Sequence, residues 1–238
     1  MQGNKEIIEH LKKDIVKNCN ILGFIKNYPP EYLIKFKNSV YAKAKSDYNW
    51  IYISCNSAGE LKEILAKMQP DETHFAIVDD WMMPCFLEKY KINWQLTTIK
   101  LYLPENVNIP ETNNVLQPLL ESDADFIYEN SHYKEFTNIE YIKERIRNGI
   151  SGALRINGEL AGWSLTHDDD AIGFLYVMEK FRNKGFATDI LNYMIAKVRN
   201  AGILPFVHIE ETNSISLKLA YIAGFKKYGK IHWFEVFS

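Results

Sequence analysis

The chain has 238 residues, which is enough for one large domain or two small ones. With 47% hydrophobic and 24% charged residues it has an ordinary globular composition, and its net charge of -2 argues against nucleic acid or an anionic membrane as the main partner. No apolar run approaches the ~20 residues of a membrane span, and the polar N-terminus lacks the apolar core of a signal peptide, so we expect a cytoplasmic location.

The cysteines predict reduced thiols. Cys19, Cys55 and Cys85 are odd in number and widely spaced, and no Cys-x-x-Cys spacing is present. Such cysteines are typical of structural thiols in a reducing compartment. We therefore expect neither a disulfide framework nor a bound metal ion.

The N-terminal half alternates predicted helices and strands but contains no phosphate-binding turn. Apolar residues between Ile7 and Val16 recur on one helical face. Tyr28-Pro29-Pro30 interrupts that pattern and predicts the start of a second short helix. Ser57-Ala58-Gly59-Glu60 has the form of a capping box and predicts a further helix. The other predicted elements of this half are strands at residues 49–54, 74–78 and 95–103 and a helix at residues 81–90.

A polar, proline-bearing stretch at residues 104–114 predicts a domain boundary. We therefore divide the chain into an N-terminal α/β domain of residues 1–112 and a second domain of residues 113–238. The two halves have similar lengths, and both mix strands with helices. From this we expect the first domain to be a degenerate relative of the second, without a cofactor site.

The C-terminal half begins with a short predicted strand and two helical segments, and a hairpin follows. Gly149 ends the second helix. Asn157-Gly158 is a strong signal for a two-residue hairpin turn. The predicted strands of this half are residues 116–120, 151–156, 160–166 and 171–177, and the helical segments are residues 123–131 and 139–147.

The strand at residues 171–177 leads into a basic, glycine-bearing turn and then a long amphipathic helix. Backbone N–H groups and the positive end of the helix dipole converge at such a turn, which makes it a site for an anion such as a pyrophosphate. Gly185 permits close approach of the backbone, and Arg182 and Lys184 add positive charge. The spacing Arg-x-x-Gly-x-Ala, taken alone, equally fits an ordinary strand-to-helix loop with solvated charges.

Three downstream features raise the significance of this turn. A predicted strand covers residues 204–210, the motif Asn213-x-x-Ser216-x-x-Leu219 follows, and the segment ends at Gly224-Phe225. This order resembles the GNAT superfamily of acyl-CoA-dependent N-acyltransferases. With its Trp233-Phe234 ending, the chain looks most similar to the glycine N-acyltransferase-like branch. The resemblance covers roughly residues 115–238.

The resemblance implies an α/β (α+β) GNAT fold, in which helices flank a central mixed, mainly antiparallel sheet. It also implies acetyl-CoA or another short acyl-CoA as co-substrate. The backbone of Leu175, Tyr176 and Val177 would pair with the pantetheine arm, and an N–H on this strand, at Val177 or its neighbour, would stabilise the oxyanion. Asn213 and Ser216 would approach the arm and the thiol, although Asn213 equally suits a helix cap. The pyrophosphate would be held by the amides of Arg182, Asn183, Lys184, Gly185, Phe186, Ala187 and Thr188.

Acyl transfer to an amine requires a base, because an alkyl ammonium group has a pKa of ~10.4. We favour Glu210 and then His208, which we expect on one face of the same strand. Relatives carry a glutamate where Ala171 stands, so that assignment does not transfer. We expect the run Asp168-Asp169-Asp170 to be a solvated turn.

The acid that would protonate the leaving thiolate is less clearly marked. In many relatives a tyrosine lies seven residues after the asparagine, at the position of Ala220 here. Tyr221 lies one residue later, about 100° around the helix. Tyr221 is therefore the candidate acid. The alternative is that no dedicated acid exists, since a thiolate leaves readily.

The expected reaction is transfer of an acyl group to a primary amine by direct attack in a ternary complex. The resemblance favours a small amine or an amino acid as acceptor, with a protein N-terminus or lysine as the competing choice. We expect a monomer or homodimer without nucleic-acid or membrane partners. The alternative function is a non-catalytic acyl-CoA-binding sensor or partner module. Candidates for the wall of an acceptor pocket are Trp163, Phe174, Tyr176 and Trp233.

Overall fold

The computed structural model describes residues 2–112, 114–131 and 134–237. Its helices are α1 Gln2–Lys12, α2 Ile15–Asn27, α3 Ala58–Leu65, α4 Met83–Lys89, α5 Ala124–Glu129, α6 Ile139–Asn148, α7 Phe186–Asn200 and α8 Ser214–Ile222. Its strands are β1 Tyr32–Phe36, β2 Ser39–Lys45, β3 Asn49–Ser54, β4 His74–Asp79, β5 Ile92–Tyr102, β6 Leu116–Gln117, β7 Ser151–Ile156, β8 Glu159–Thr166, β9 Ile172–Val177, β10 Phe206–Ile209 and β11 Lys226–Val236. Within these ranges, no helix is long and apolar enough to cross a lipid bilayer.

The chain forms two compact units that are not continuous in sequence. The first unit comprises Met1–Leu101, Ile209–Ser214 and Lys227–Ser238, and the second comprises Tyr102–His208 and Ile215–Lys226. This division differs from the predicted one, because nearly all of β11 belongs to the first unit. Asn113, where we expected the second domain to begin, lies outside the described residues. A division read along the sequence has no means of assigning a C-terminal strand to an N-terminal unit.

The first unit is a mixed sheet with helices. Its strands are ordered β1-β2-β3-β4-β11-β5, with β1, β2 and β3 antiparallel, β4 parallel to β3, and β11 antiparallel to β4. One core cluster contains the packed rings of Phe75, Phe86 and Phe234. Another contains Phe24 of α2 stacked on Tyr52 of β3.

The structure corrects two expectations for the N-terminus. The apolar face expected in one helix is divided between α1 and α2, since Asp14 caps α2 by accepting the Lys17 N–H at 3.1 Å. The helix expected at Tyr28-Pro29-Pro30 is wrong, because the chain continues there into the β1–β2 hairpin. Proline disfavours the helical region for the residue before it, and Tyr28 is accordingly extended.

The second unit is built on strands ordered β10-β9-β8-β7-β6. Pairing from β6 to β9 is antiparallel, and β10 runs parallel to β9. The predicted hairpin turn is confirmed, since Asn157 and Gly158 join β7 to β8 with φ values of 52° and 82°. The amphipathic helix α7 buries its apolar face completely, through Ile190, Met194, Ile195 and Val198.

A close contact fixes the residue type at the start of β9. The ring of His167 lies against Gly173, where an added Cβ would come within 2.1 Å of the His167 Nε2 atom. The same ring packs on Phe174 with a centroid distance of 4.8 Å. Gly173 is therefore required by the approach of an imidazole ring.

This contact generates a double-mutant prediction. Gly173→Ala is expected to lower the free energy of unfolding by about 1–3 kcal/mol, because the new methyl group overlaps the imidazole. Combining Gly173→Ala with His167→Ala removes the overlap, so the double variant should be more stable than the sum of the two single effects predicts. Urea denaturation of the four proteins measures the coupling, and strictly additive effects would contradict the contact.

Candidate functional site

The parallel strands β9 and β10 are paired at one position and then part. The registered pair is Ile172 with Val207. Two residues along, Phe174 has a φ of 52°, and the pairing of β9 with β8 shifts register in the same region. This is a β-bulge, which bends a strand and changes the direction of its edge. Residues 173–176 are consequently half-buried, although they lie in an inner strand of the unit.

The opened edge of β9 presents backbone groups of known direction. The Met178 N–H donates to the Ala161 carbonyl of the β8 side at 2.9 Å. Because backbone groups alternate between the two edges of a strand, Tyr176 also faces β8, and Leu175 and Val177 face the opened edge. Two of the three strand residues expected to hold a pantetheine arm thus direct their N–H groups into the opening.

The turn after β9 gathers backbone amides at the start of α7. Asn183 and Gly185 have φ values of 61° and 80°, and Gly185 is the residue immediately before the helix. Thr188 and Asp189 donate to the Gly185 carbonyl at 3.0 and 3.1 Å. Among the described residues, no backbone carbonyl accepts from the amides of residues 183–187. These donors and the helix dipole make an anion site.

Arg182 connects this turn to the strand that precedes it. Its Nε donates to the Val177 carbonyl at 3.0 Å, and its guanidinium lies over the Tyr176 ring at 5.5 Å. A carboxylate oxygen of Glu179 lies 3.5 Å from the same guanidinium. Arg182 therefore holds the turn against the end of β9 in addition to placing positive charge there. Lys184 is exposed at the turn.

A histidine–carboxylate pair lies in the same unit. His208 Nε2 is 3.3 Å from the Asp169 carboxylate, and only 6% and 2% of the two side chains are exposed. The other carboxylate oxygen of Asp169 accepts the Ala171 N–H at 3.0 Å. The expectation of a solvated aspartate turn is wrong for Asp169 and for Asp170, which are 2% and 5% exposed. Three consecutive aspartates suggest solvent, and only the folded loop shows that two of them turn inward.

The remaining candidate residues lie on different elements and are divided between the two units. Glu210 follows β10 instead of lying on it, is half-buried, and belongs to the first unit together with Asn213. Ser216 and Tyr221 lie on α8 in the second unit. Tyr221 is 48% exposed, whereas Ala220 beside it is 2% exposed.

The four aromatic candidates for a pocket wall also differ in burial and in the unit to which they belong. Trp163 is 2% exposed and packs between Phe126 and Tyr176, so it is a core residue. Trp233 packs against a core cluster of the first unit. Phe174 and Tyr176 are half-buried on β9 and retain accessible surface. The ring of His167 packs on Phe174 at the bulge, a contact that the sequence does not predict because no spacing rule connects these positions.

The residues of the β9–α7 turn fit a diphosphate group, because their amide donors are grouped at a helix start with an open glycine. An added Cβ at Gly185 would have no atom within 4 Å. Within the described ranges, no group of His, Cys, Asp and Glu is arranged to hold a metal ion.

Comparison with known proteins agrees with this architecture. Residues 150–234 match the family model described as FR47-like protein. The chain is similar to a solved Drosophila protein, with 16% identity, 98% and 96% of the two chains covered and a TM-score of 0.78. It is also similar to a GCN5-related N-acetyltransferase from Kribbella flavida, with 10% identity, 92% and 94% covered and a TM-score of 0.58. No curated protein is significantly similar to this sequence.

A further similarity extends over most of both chains. A tandem GNAT protein from the clavulanic acid biosynthesis pathway shares 12% identity, with 93% of this chain and 88% of that chain covered and a TM-score of 0.51. Identities at this level report the fold alone. The expected fold class is therefore confirmed: the chain has a GNAT fold.

Proposed function

We propose that this protein is a cytoplasmic acyl-CoA-dependent N-acyltransferase that transfers a short acyl group, such as acetyl, to a primary amine. The observation that carries the proposal is the pair of open donor sets in one unit, the opened edge of β9 at Leu175 and Val177 and the amides of residues 183–187 at the start of α7. Few ligands combine an extended amide-bearing arm with a diphosphate, and acyl-CoA is one that does. The FR47-like match and the GNAT fold support the same donor.

The donor would lie along the opened edge of β9. Its pantetheine arm would pair with Leu175 and Val177 as an added strand, a mode of recognition in which main-chain hydrogen bonds supply affinity. The diphosphate would accept from the amides of residues 183–187. The amides of Arg182 and Thr188, which we also expected to contribute, instead donate to the carbonyls of Glu179 and Gly185. We keep Asn213 and Ser216 as proposed contacts to the arm.

The reaction requires a proton acceptor, because the ammonium group of the acceptor must lose a proton before its nitrogen can attack. His208 suits this role because the buried Asp169 orients its ring and stabilises the imidazolium that forms. Glu210 is the second candidate. The neutral amine would attack the thioester carbonyl, the oxyanion would accept the Val177 N–H, and collapse would release the CoA thiolate and leave an amide. Because the thiolate leaves readily, the exposed Tyr221 is not essential to this scheme.

For the acceptor we propose a small molecule or an amino acid, in line with the resemblance to the glycine N-acyltransferase-like branch. The accessible surface of Phe174 and Tyr176 beside the opened edge suits an apolar portion of such a molecule. Tyr141 of α6 extends this aromatic surface, with its ring 6.4 Å from that of Phe174.

A non-catalytic acyl-CoA sensor is the alternative, favoured by Ala171 at the position of the expected glutamate and by the exposure of Tyr221. An acceptor screen separates the two functions. Release of free CoA thiol in the presence of an amine supports the enzyme. Tight acyl-CoA binding without thiol release from any amine or amino acid supports the sensor.

Two glycines allow a matched test of the donor site. Gly185 and Gly158 have φ values of 80° and 82°, and neither would bring an added Cβ within 4 Å of another residue. Each change to alanine should therefore cost a similar roughly 1–2 kcal/mol of stability. Gly185→Ala should in addition weaken acyl-CoA binding by about tenfold, because the methyl group points into the space proposed for the diphosphate. Calorimetric titration measures the affinities, and equal affinity in the two variants would contradict the assignment.

Substitution of each candidate base separates their roles. His208→Gln should lower kcat by about 100-fold to 10,000-fold and leave acyl-CoA affinity unchanged, because the imidazole takes the proton without contacting the diphosphate. Glu210→Gln is the matched variant for the second candidate, and His10→Gln, at a half-buried histidine of α1, is the control. Turnover would be measured between about pH 6 and 9. A His208→Gln protein with the wild-type rate and pH profile would exclude His208 as the base.

A further inference from the structure

The polar stretch between β5 and β6 is fastened to the last turn of α7. The structure describes residues 104–112 and 114 of this stretch, which we call the α7 strap, and they belong to the second unit. The guanidinium of Arg199 donates to the carbonyls of Val107 and Pro104 at 2.7 and 2.8 Å. Val107 also packs against Gly224, where an added Cβ would lie 2.8 Å from one of its methyl carbons. One end of the strap is therefore held both by hydrogen bonds and by close packing.

The other end of the strap meets the first turn of α7. The side-chain amide of Asn114 donates to a carboxylate oxygen of Asp189 at 2.5 Å, and both residues are half-buried. The Thr112 hydroxyl donates to the Asn114 carbonyl at 3.2 Å, which restrains the backbone that carries this amide. From Asp189 to Arg199 the helix rises by about 15 Å, so the strap is attached near both ends of α7.

Asn114 is the partner of a carboxylate that stands at the proposed anion site. Asp189 lies in the first turn of α7, and its N–H donates to the Gly185 carbonyl at 3.1 Å. Among the described residues, no lysine, arginine or histidine nitrogen lies within 4 Å of the Asp189 carboxylate, and no other side chain donates a hydrogen bond to it. The position of this negative charge therefore depends on the amide of Asn114.

An unrestrained carboxylate at this position would compete with a bound diphosphate. Helical side chains lean towards the N-terminus of their helix and cover the turn that precedes their own Cα. Released from Asn114, the Asp189 carboxylate would therefore lie over the turn at Gly185, where the amides of residues 183–187 are grouped. There it would accept hydrogen bonds from those amides and would repel an incoming anion.

We propose that Asn114 is a positioning residue for acyl-CoA: it holds the Asp189 carboxylate against the α7 strap and so keeps the amides of residues 183–187 available to the diphosphate. This inference rests on the proposed function, because it concerns the same donor site. Asn114 acts through Asp189 and does not need to touch the ligand. Removal of the Asp189 charge should consequently make Asn114 dispensable for binding.

A thermodynamic cycle on the affinity for acetyl-CoA tests the proposal. Asn114→Ala should weaken acetyl-CoA binding by about threefold to tenfold, because the released carboxylate occupies the amides. Asp189→Asn should bind at least as tightly as the unaltered chain, since the negative charge is gone. When Asn114→Ala is combined with Asp189→Asn, the affinity should return to within about twofold of that of Asp189→Asn alone. Calorimetric titration of the full chain measures the four affinities.

The double variant separates this role from simple anchoring of the strap. It still lacks the hydrogen bond between positions 114 and 189, so urea denaturation without ligand should show reduced stability although the affinity has returned. Asn108→Ala is the matched control, because Asn108 is an exposed asparagine of the same strap, and it should leave the affinity unchanged.

Two results would overturn the proposal and leave the proposed function intact. One is an unchanged affinity in Asn114→Ala, and the other is an affinity of the double variant as low as that of Asn114→Ala. A lack of acetyl-CoA uptake by the unaltered chain would instead overturn the proposed function, and this inference with it.

Discussion

The parting of β9 from β10 is the constraint on which the rest of the candidate site depends. Parallel strands that stayed paired would consume the backbone donors of Leu175 and Val177 within the sheet. The positive φ of Phe174 costs on the order of 1–3 kcal/mol, and it persists because β8 on one side and the His167 ring packed over the bulge hold the strand in place. That local strain leaves an edge able to accept an added strand.

The first unit also contains two parallel strands that part near a residue with positive φ, but different groups lie at the opening. Ile77 takes a positive φ at the point where β4 leaves β3, as Phe174 does near the point where β9 leaves β10. In the second unit the opening leads to backbone amides at a helix start, which suit a diphosphate. In the first it leads to the side chains of Lys17 and Asp79. The idea that the first unit is a degenerate relative of the second stays a prediction, and this shared geometry is consistent with it.

Local signals predicted local structure well and long-range packing poorly. The Asn157-Gly158 hairpin and the apolar face of α7 depend on turn chemistry and helical period, which act within a few residues. The helix predicted to start at Pro29-Pro30 is wrong, because proline is compatible with both the start of a helix and an extended chain. Asp169 was misjudged because the burial of a carboxylate depends on a partner, His208, that lies 39 positions away.

The sequence by itself determined the GNAT-type order of elements and the glycine-bearing turn before α7, on which the proposed donor site depends, since glycine placement and helix periodicity are properties of neighbouring residues. Only the tertiary structure decided which edge of β9 is open, which acidic residue supports His208, and that β11 completes the first unit. Those features arise from pairing and burial between distant segments. The free energies of such contacts depend on the whole fold, and no short stretch of the chain encodes them.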